Sequence, residues 1–308
     1  MSQENFNLNL NGKMSDWGPF GPNEGKWLIF SIGNPEEGHG YALPRMMDDF
    51  FAQRVAHLIS CKTGFRYVAH IPWTTDGAGI IAKDWGPKFI PPEELANKVV
   101  KFIQFHMNNY KEMGLPCDRI FIYSGHGGNN PLADFTEMIK KKLKVKELII
   151  TKTDDIMEVA EKILDDAKRL TMKLGKTDEE RKQIAREFTT ILLGAGHAGH
   201  MEHSIAAAIG ILDEKKLKIM NEKLEKNFEE ALKKWPPIGG LGGYLLQGGK
   251  YTDALGTKED DRYGLWKCLK ALKKLDNGRI KPIKELGELI IKVSVEYYSN
   301  ILLKKLSK

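Results

Sequence analysis

Short apolar runs that stop abruptly at glycine or proline alternate with longer stretches of helical periodicity, and this alternation constrains the fold more than any other feature. Lys26–Ile32 (KWLIFSI) stops at Gly33-Asn34-Pro35, and Tyr67–Ile71 stops at Pro72. Arg119–Tyr123 (RIFIY) runs into Ser124-Gly125-His126-Gly127-Gly128-Asn129-Asn130. Apolar runs bounded by turn residues read as buried strands, and Val145–Thr151 and Thr189–Leu193 (TTILL) extend the series. Between them, Phe50, Val55, Leu58 and Ile59 in Asp48–Ser60, and Leu95, Val99, Phe102 and Ile103 in Glu93–Lys111, recur at helical spacing. Ala133–Leu143, Met201–Leu212, a Lys/Glu-rich Glu214–Trp235 and Lys284–Leu303 complete the helices. A helical insertion near 154–188 breaks at Gly175, after which Thr177 and Glu180 form a capping box. Strands alternating with helices predict a three-layer α/β/α sandwich with a mainly parallel sheet, one domain over residues 1–308 ending in a helical region.

In such sheets ligands bind beyond the carboxyl ends of the strands. Three His/Gly clusters fall there, which places them on one rim. The first is Glu37-Gly38-His39-Gly40, with Asp48 and Asp49 following at the helix start. Carboxylates and an imidazole in one loop suit zinc, manganese or iron rather than calcium, which prefers oxygen alone; exposed loop residues are the plain alternative. The second, SGHGGNN, puts His126 at a buried strand end among glycines that permit close approach. It lacks the spacing and the lysine of a phosphate-binding loop, which favours metal ligation. The third, His197-Ala198-Gly199-His200-Met201-Glu202-His203, crowds three imidazoles and a carboxylate at a helix start. One imidazole there suits proton transfer near neutrality, and His203 reads as structural.

Together these segments resemble the creatininase (creatinine amidohydrolase) family. That family carries an ExHG motif with an aspartate eleven residues after the glutamate, an NGHxxN loop after a strand, and an HxGxxETS segment. Here they read Glu37-Gly38-His39-Gly40 with Asp48, Ser124-Gly125-His126-Gly127-Gly128-Asn129, and His197 through Ser204. The resemblance implies a centre of two divalent metal ions (Zn, Mn or Fe), with Glu37 and His126 on one, His39 on the other and Asp48 bridging. Creatininase places a further glutamate ligand where this chain has Gly128, and Glu202 is the candidate to fill that position. His197 aligns with the family's catalytic histidine, and homo-oligomers, often hexamers, are implied as well. The chain departs from the pattern in the step from Gly33 to Glu37, in Glu202-His203-Ser204 for ETS, and in Ile71-Pro72-Trp73-Thr74-Thr75-Asp76-Gly77 for a PGT segment.

Two cations sharing Asp48 generate a hydroxide nucleophile at neutral pH, and His197 protonates the leaving atom. This chemistry fits a hydrolase that adds metal-bound hydroxide to a carbonyl of a small polar cyclic substrate. The altered pocket tilts the sequence toward ring-opening of a cyclic diketone such as a diketo-inositol, and so toward carbohydrate metabolism. The alternatives are an amidohydrolase acting on a cyclic amide or formamide, and a non-enzymatic metal or nucleotide binder. Trp73 and Asp76, in a long loop with Trp85 and Lys88, and His200 are the candidate substrate contacts; the same aromatics alternatively pin the loop.

Composition narrows the partners. Lys and Arg number 47 against 41 Asp and Glu, a net +6 spread over interleaved lysines and glutamates, which argues against nucleic acid. The run Lys140–Lys146 ends a helix, where cations suit the dipole. The 3 cysteines (Cys61, Cys117, Cys268) form no CxxC pair, so a cytoplasmic setting is expected. No apolar export segment and no membrane span are legible.

Overall fold

The computed structural model describes residues 23–75, 90–152, 156–193, 197–235 and 279–306. Four of the apolar runs pair as strands: β1 (Leu28–Ile32), β2 (Arg66–Ile71), β3 (Arg119–Ser124) and β4 (Glu147–Ile150). Their order is β2-β1-β3-β4, and every pairing is parallel. Parallel strands need a crossover between them. Helix α1 (Met47–Thr63) joins β1 to β2, and α2 (Pro92–Glu112) lies between β2 and β3. Between β3 and β4 comes a 3-10 segment (Gly127–Phe135) continued by α3 (Thr136–Leu143).

Successive strand side chains point to opposite faces, and each face has its own helical layer. Ile29, Phe121 and Tyr123 pack with Ala52, Val55 and Ile59 of α1. Leu28, Phe30, Ile32, Ile120 and Ile122 pack with Leu95, Val99 and Ile103 of α2 and Ile139 of α3. These three layers are the expected α/β/α sandwich. The first layer also holds α4 (Ile156–Leu174), α6 (His200–Ile209) and the C-terminal helix α9 (Lys284–Leu306). Val159, Ile163, Ile205, Leu286 and Ile290 share that core.

The break at Gly175 is present: α5 (Asp178–Leu193) begins where Thr177 Oγ1 accepts from the Glu180 N–H at 3.2 Å and Glu180 Oε2 accepts from the Thr177 N–H at 3.0 Å. Thr189–Leu193, expected as a strand, is instead the end of α5. A short apolar run suits either element, and this one continues a helix with no glycine or proline between. The third cluster therefore follows a helix rather than a strand end. Glu214–Trp235 divides into α7 (Glu214–Lys226) and α8 (Phe228–Lys234), because the Asn227 side chain caps the second helix by accepting from the Glu230 N–H at 3.1 Å. No helix among the described residues is long and apolar enough to cross a membrane.

Candidate functional site

The ends of β1 and β3 are pressed onto the first turn of α1. A Cβ on Gly33 would sit 2.4 Å from Asp49 Oδ1, and one on Gly125 would sit 2.6 Å from the Asp48 carbonyl oxygen. Only glycine permits that approach, which brings the loops carrying Glu37 and His126 against Asp48. Asp48 and Asp49 occupy the positive end of α1, where carboxylates are favoured.

Six of the sequence-based candidates converge there. His126 Nδ1 lies 2.8 Å from Asp48 Oδ2 and 3.1 Å from Glu37 Oε2. His39 Nε2 lies 3.2 Å from Asp48 Oδ1 and 3.9 Å from Glu202 Oε2. Three sets of potential ligand atoms lie within 4.8 Å of one another: Glu37, Asp48 and His126; His39, Asp48 and Glu202; and Glu37, His39 and His197. Asp48 belongs to the first two and divides its oxygens between the imidazoles. Glu37, His39, Asp48 and His126 are buried, whereas Glu202 and His197 keep 18% and 19% of their side chains exposed and form the open side.

Orientation comes from a surrounding set of hydrogen bonds. His39 Nδ1 donates to the Glu37 carbonyl at 3.1 Å, which aims Nε2 at Asp48. Asn34 Nδ2 donates to Glu37 Oε2 at 3.3 Å and lies 3.3 Å from His126 Nε2. Asn129 Nδ2 donates to the Gly33 carbonyl at 2.9 Å, while its Oδ1 accepts from Thr74 Oγ1 and the Thr75 N–H, both at 3.0 Å. Asn129 therefore ties three strand-end loops together. His197 Nε2 donates to the Gly38 carbonyl at 2.7 Å, and its ring centroid lies 4.4 Å from that of His39. Glu202, in the first turn of α6, reaches back to accept from the Ala198 N–H at 2.6 Å.

The charges are coupled. Burial alone would raise the Glu37 carboxyl, but His197 and His126 together hold it below its ordinary value. Burial opposes the charge on Asp48 too, yet His39 and His126 bring its pKa far down. Burial lowers His39, and Asp48 with Glu202 overcomes that and pushes it up to about 10. Glu202 is raised by burial despite the opposing pull of His39 and His197. Carboxylates and imidazoles thus hold one another in place across the cluster. Three carboxylates and two imidazoles divided over two sets sharing Asp48 are a donor mixture that fits zinc, manganese or iron.

Two proposed substrate contacts are placed otherwise. Trp73 turns toward α2, meeting Phe102 edge-on at 5.8 Å between centroids, with Lys98 Nζ 5.4 Å from the ring. Half-buried, it packs against the second core. His200 is buried, and its Nδ1 accepts from the Lys281 N–H at 3.2 Å, so it holds the C-terminal segment. Asp76, Trp85 and Lys88 lie outside the described residues. His203 is buried, with Nδ1 donating to the Gly199 carbonyl at 2.8 Å, and burial lowers it to about 3. Sequence reasoning assigned no role to Asn34 or Asn129, although both stand at glycine-bounded strand ends.

The fold is similar to that of creatininase. Two solved creatininase variants, one complexed with creatine and one carrying a tryptophan-to-alanine change, superpose with TM-scores of 0.50. Identities are 11% and 12%; 91% of this chain is covered in both, against 92% and 91% of theirs. No family model matches the chain. Among curated proteins it is 29% identical over 118 residues, 38% of this chain, to a 2-amino-5-formylamino-6-ribosylaminopyrimidin-4(3H)-one 5'-monophosphate deformylase of Methanosphaera stadtmanae. It is 23% identical over 220 residues, 70% of this chain, to the enzyme of that name from Methanothermus fervidus. The matched regions span 47% and 64% of those relatives' lengths. Neither is named as a diketo-inositol hydrolase, so the sequence-based preference for carbon–carbon ring opening finds no support in them.

Proposed function

We propose that this chain is a divalent-metal-dependent hydrolase of a carbon–nitrogen amide bond, with a formamide or cyclic amide on a small polar molecule as substrate. The observation that carries this reading is Asp48 facing His39 with one oxygen and His126 with the other, with His197 at the open side. Glu37, Asp48 and His126 would hold one cation, and His39, Asp48 and Glu202 a second. Bound there, the metals supply Lewis-acid polarisation of a carbonyl and a water activated near neutral pH. The names of the two deformylases support the choice of an amide bond.

The protein's own groups do the rest. Asn34 and Asn129 hold the ligand loops, and the carbonyl of Glu37 fixes the tautomer of His39. His197, at the open side of the cluster, would protonate the departing nitrogen, a contribution of roughly 10²–10⁴ in rate. Without that proton an amide nitrogen would leave as a high-energy anion.

The test uses protein reloaded separately with Zn²⁺, Mn²⁺ and Fe²⁺, offered formamidopyrimidines and cyclic amides, with formate release and ring opening measured. His197→Ala should keep its metals and lose turnover. No hydrolysis by any loaded form would overturn the proposal and favour a metal binder without turnover. Light scattering on the same samples tests the homo-oligomer implied by the resemblance.

A further inference from the structure

Glu202 reaches the cluster from α6, whose opposite side is held by the C-terminal segment. Successive helical residues turn by about 100°, so His200 and Ser204 share one face while Glu202, midway between them, points about 200° away. On the His200/Ser204 side two hydrogen bonds lock α6 to the chain that enters α9. His200 Nδ1 accepts from the Lys281 N–H at 3.2 Å, and Ser204 Oγ accepts from the Ile283 N–H at 3.0 Å while donating to the His200 carbonyl at 2.7 Å. At Gly287 the two helix backbones touch: a Cβ there would lie 2.1 Å from the Ser204 carbonyl oxygen and 2.5 Å from its carbon. Those obstacles are backbone atoms, so they yield only if one helix moves. Ser204 and His200 are wholly buried, as are Leu286 and Ile290 beside the contact.

We propose that the C-terminal helix α9 sets the position of Glu202, with Gly287, Ser204 and His200 as positioning residues that act through α6. The ligands Glu37, Asp48 and His126 come from α1 and the loops after β1 and β3; α9 packs against α1 and β3 as well, but among the described residues its hydrogen-bonded entry and its Gly287 contact fall on α6. Displacing α6 therefore withdraws one carboxylate from the His39/Asp48/Glu202 set and leaves the Glu37/Asp48/His126 set whole. The motif residues His200 and Ser204 act at the back of α6. This inference rests on the reading that Glu202 holds a cation.

The experiment compares full-length wild type, Gly287→Ala, Ser204→Ala and Leu302→Ala by Mn²⁺ titration calorimetry and by metal content after gel filtration, with thermal unfolding of each. Ser204→Ala removes only the hydroxyl and guards against failure of Gly287→Ala to fold. Leu302→Ala, a buried change at the far end of α9, matches the loss of stability without touching the clamp. The wild type is expected to bind two Mn²⁺. Gly287→Ala and Ser204→Ala should keep one at wild-type affinity and bind the other at least 10-fold more weakly, while Leu302→Ala keeps both. Unchanged affinities in the clamp variants, or equal weakening of both ions in all three, would overturn the positioning role alone. A wild type that takes up no Mn²⁺, Zn²⁺ or Fe²⁺ would overturn the hydrolase reading and this inference with it.

Discussion

His126 Nδ1 lies 2.8 Å from Asp48 Oδ2, and that contact places the third strand's loop on the same carboxylate that His39 meets with its other oxygen. A carboxylate shared in this way cannot be replaced for one partner without cost to the other. Asp48→Asn keeps the shape but gives up the charge and one acceptor. Metal content should fall below one ion per chain, with affinity reduced more than the roughly 10–100-fold that loss of a supporting hydrogen bond costs. Retention of two ions by Asp48→Asn would show that Asp48 does not bridge.

The charge on His39 predicts how the metal-free protein responds to pH. Its folded pKa of about 10 exceeds the unfolded value of about 6.5. A base raised in this sense stabilises the fold fully below about 6.5 and loses that contribution as pH rises toward about 10. The lowered carboxyls of Glu37 and Asp48 act at the other end: their contribution is present above about pH 4 and is lost as acid protonates them. The melting temperature of chelator-treated protein should therefore decline between pH 7 and 10. His39→Asn should flatten that slope, and so should added Zn²⁺, which replaces the proton. A slope of the same size in His39→Asn would place its origin elsewhere.

Asn129 is 1% exposed and joins the loops after β1, β2 and β3 through the Gly33 carbonyl, Thr74 and Thr75. Asn129→Ala leaves the Gly33 carbonyl and the Thr75 N–H buried without this partner, at a cost of about 1–3 kcal/mol each. Denaturant unfolding should show a loss of several kcal/mol, and metal affinity should weaken because the loops carrying Glu37 and His126 are released. Asn129→Asp should not rescue, since it removes the donor to Gly33 and buries a charge. Stability within about 0.5 kcal/mol of wild type, the ordinary range for surface changes, would remove Asn129 from this role.

The sequence made the first two clusters legible because both depend on local rules: an apolar run, a glycine stop, then polar residues at the carboxyl end of a parallel strand. Asp48 was legible for the same reason, as an acid in a helix's first turn. The third cluster was assigned to a strand end because Thr189–Leu193 has strand composition, and the helix that contains it is set by what precedes it. The partners of Trp73 and His200, Phe102 and Lys281, are distant in the chain and so leave no local signal. Asn34 and Asn129 carry no chemistry of their own; their work becomes visible only when three loops are seen in one place. Helix α9 left no trace in the motifs at all, since a glycine in a helix is ordinarily only a weak point.

Ala198 is buried and holds φ 54, a left-handed conformation that costs a residue with a Cβ roughly 1–2 kcal/mol. The strain points its N–H at Glu202 Oε2, 2.6 Å away. Ala198→Gly relieves the strain, loses a buried methyl worth about 0.8 kcal/mol, and adds freedom to the unfolded chain at roughly 0.5–1 kcal/mol. These nearly cancel, so Ala198→Gly should unfold within about 1 kcal/mol of wild type and keep its metals, the Glu202 contact being to backbone. Ala206, equally buried but within the regular turns of α6, offers the contrast. Ala206→Gly relieves nothing and should lose about 2 kcal/mol, from helix propensity and the buried methyl together. Ala198→Val forces a branched side chain into the same left-handed turn, so it should cost more than either glycine change and weaken the ion that Glu202 holds. Equal losses in the two glycine variants would mean that the turn at Ala198 stores no strain.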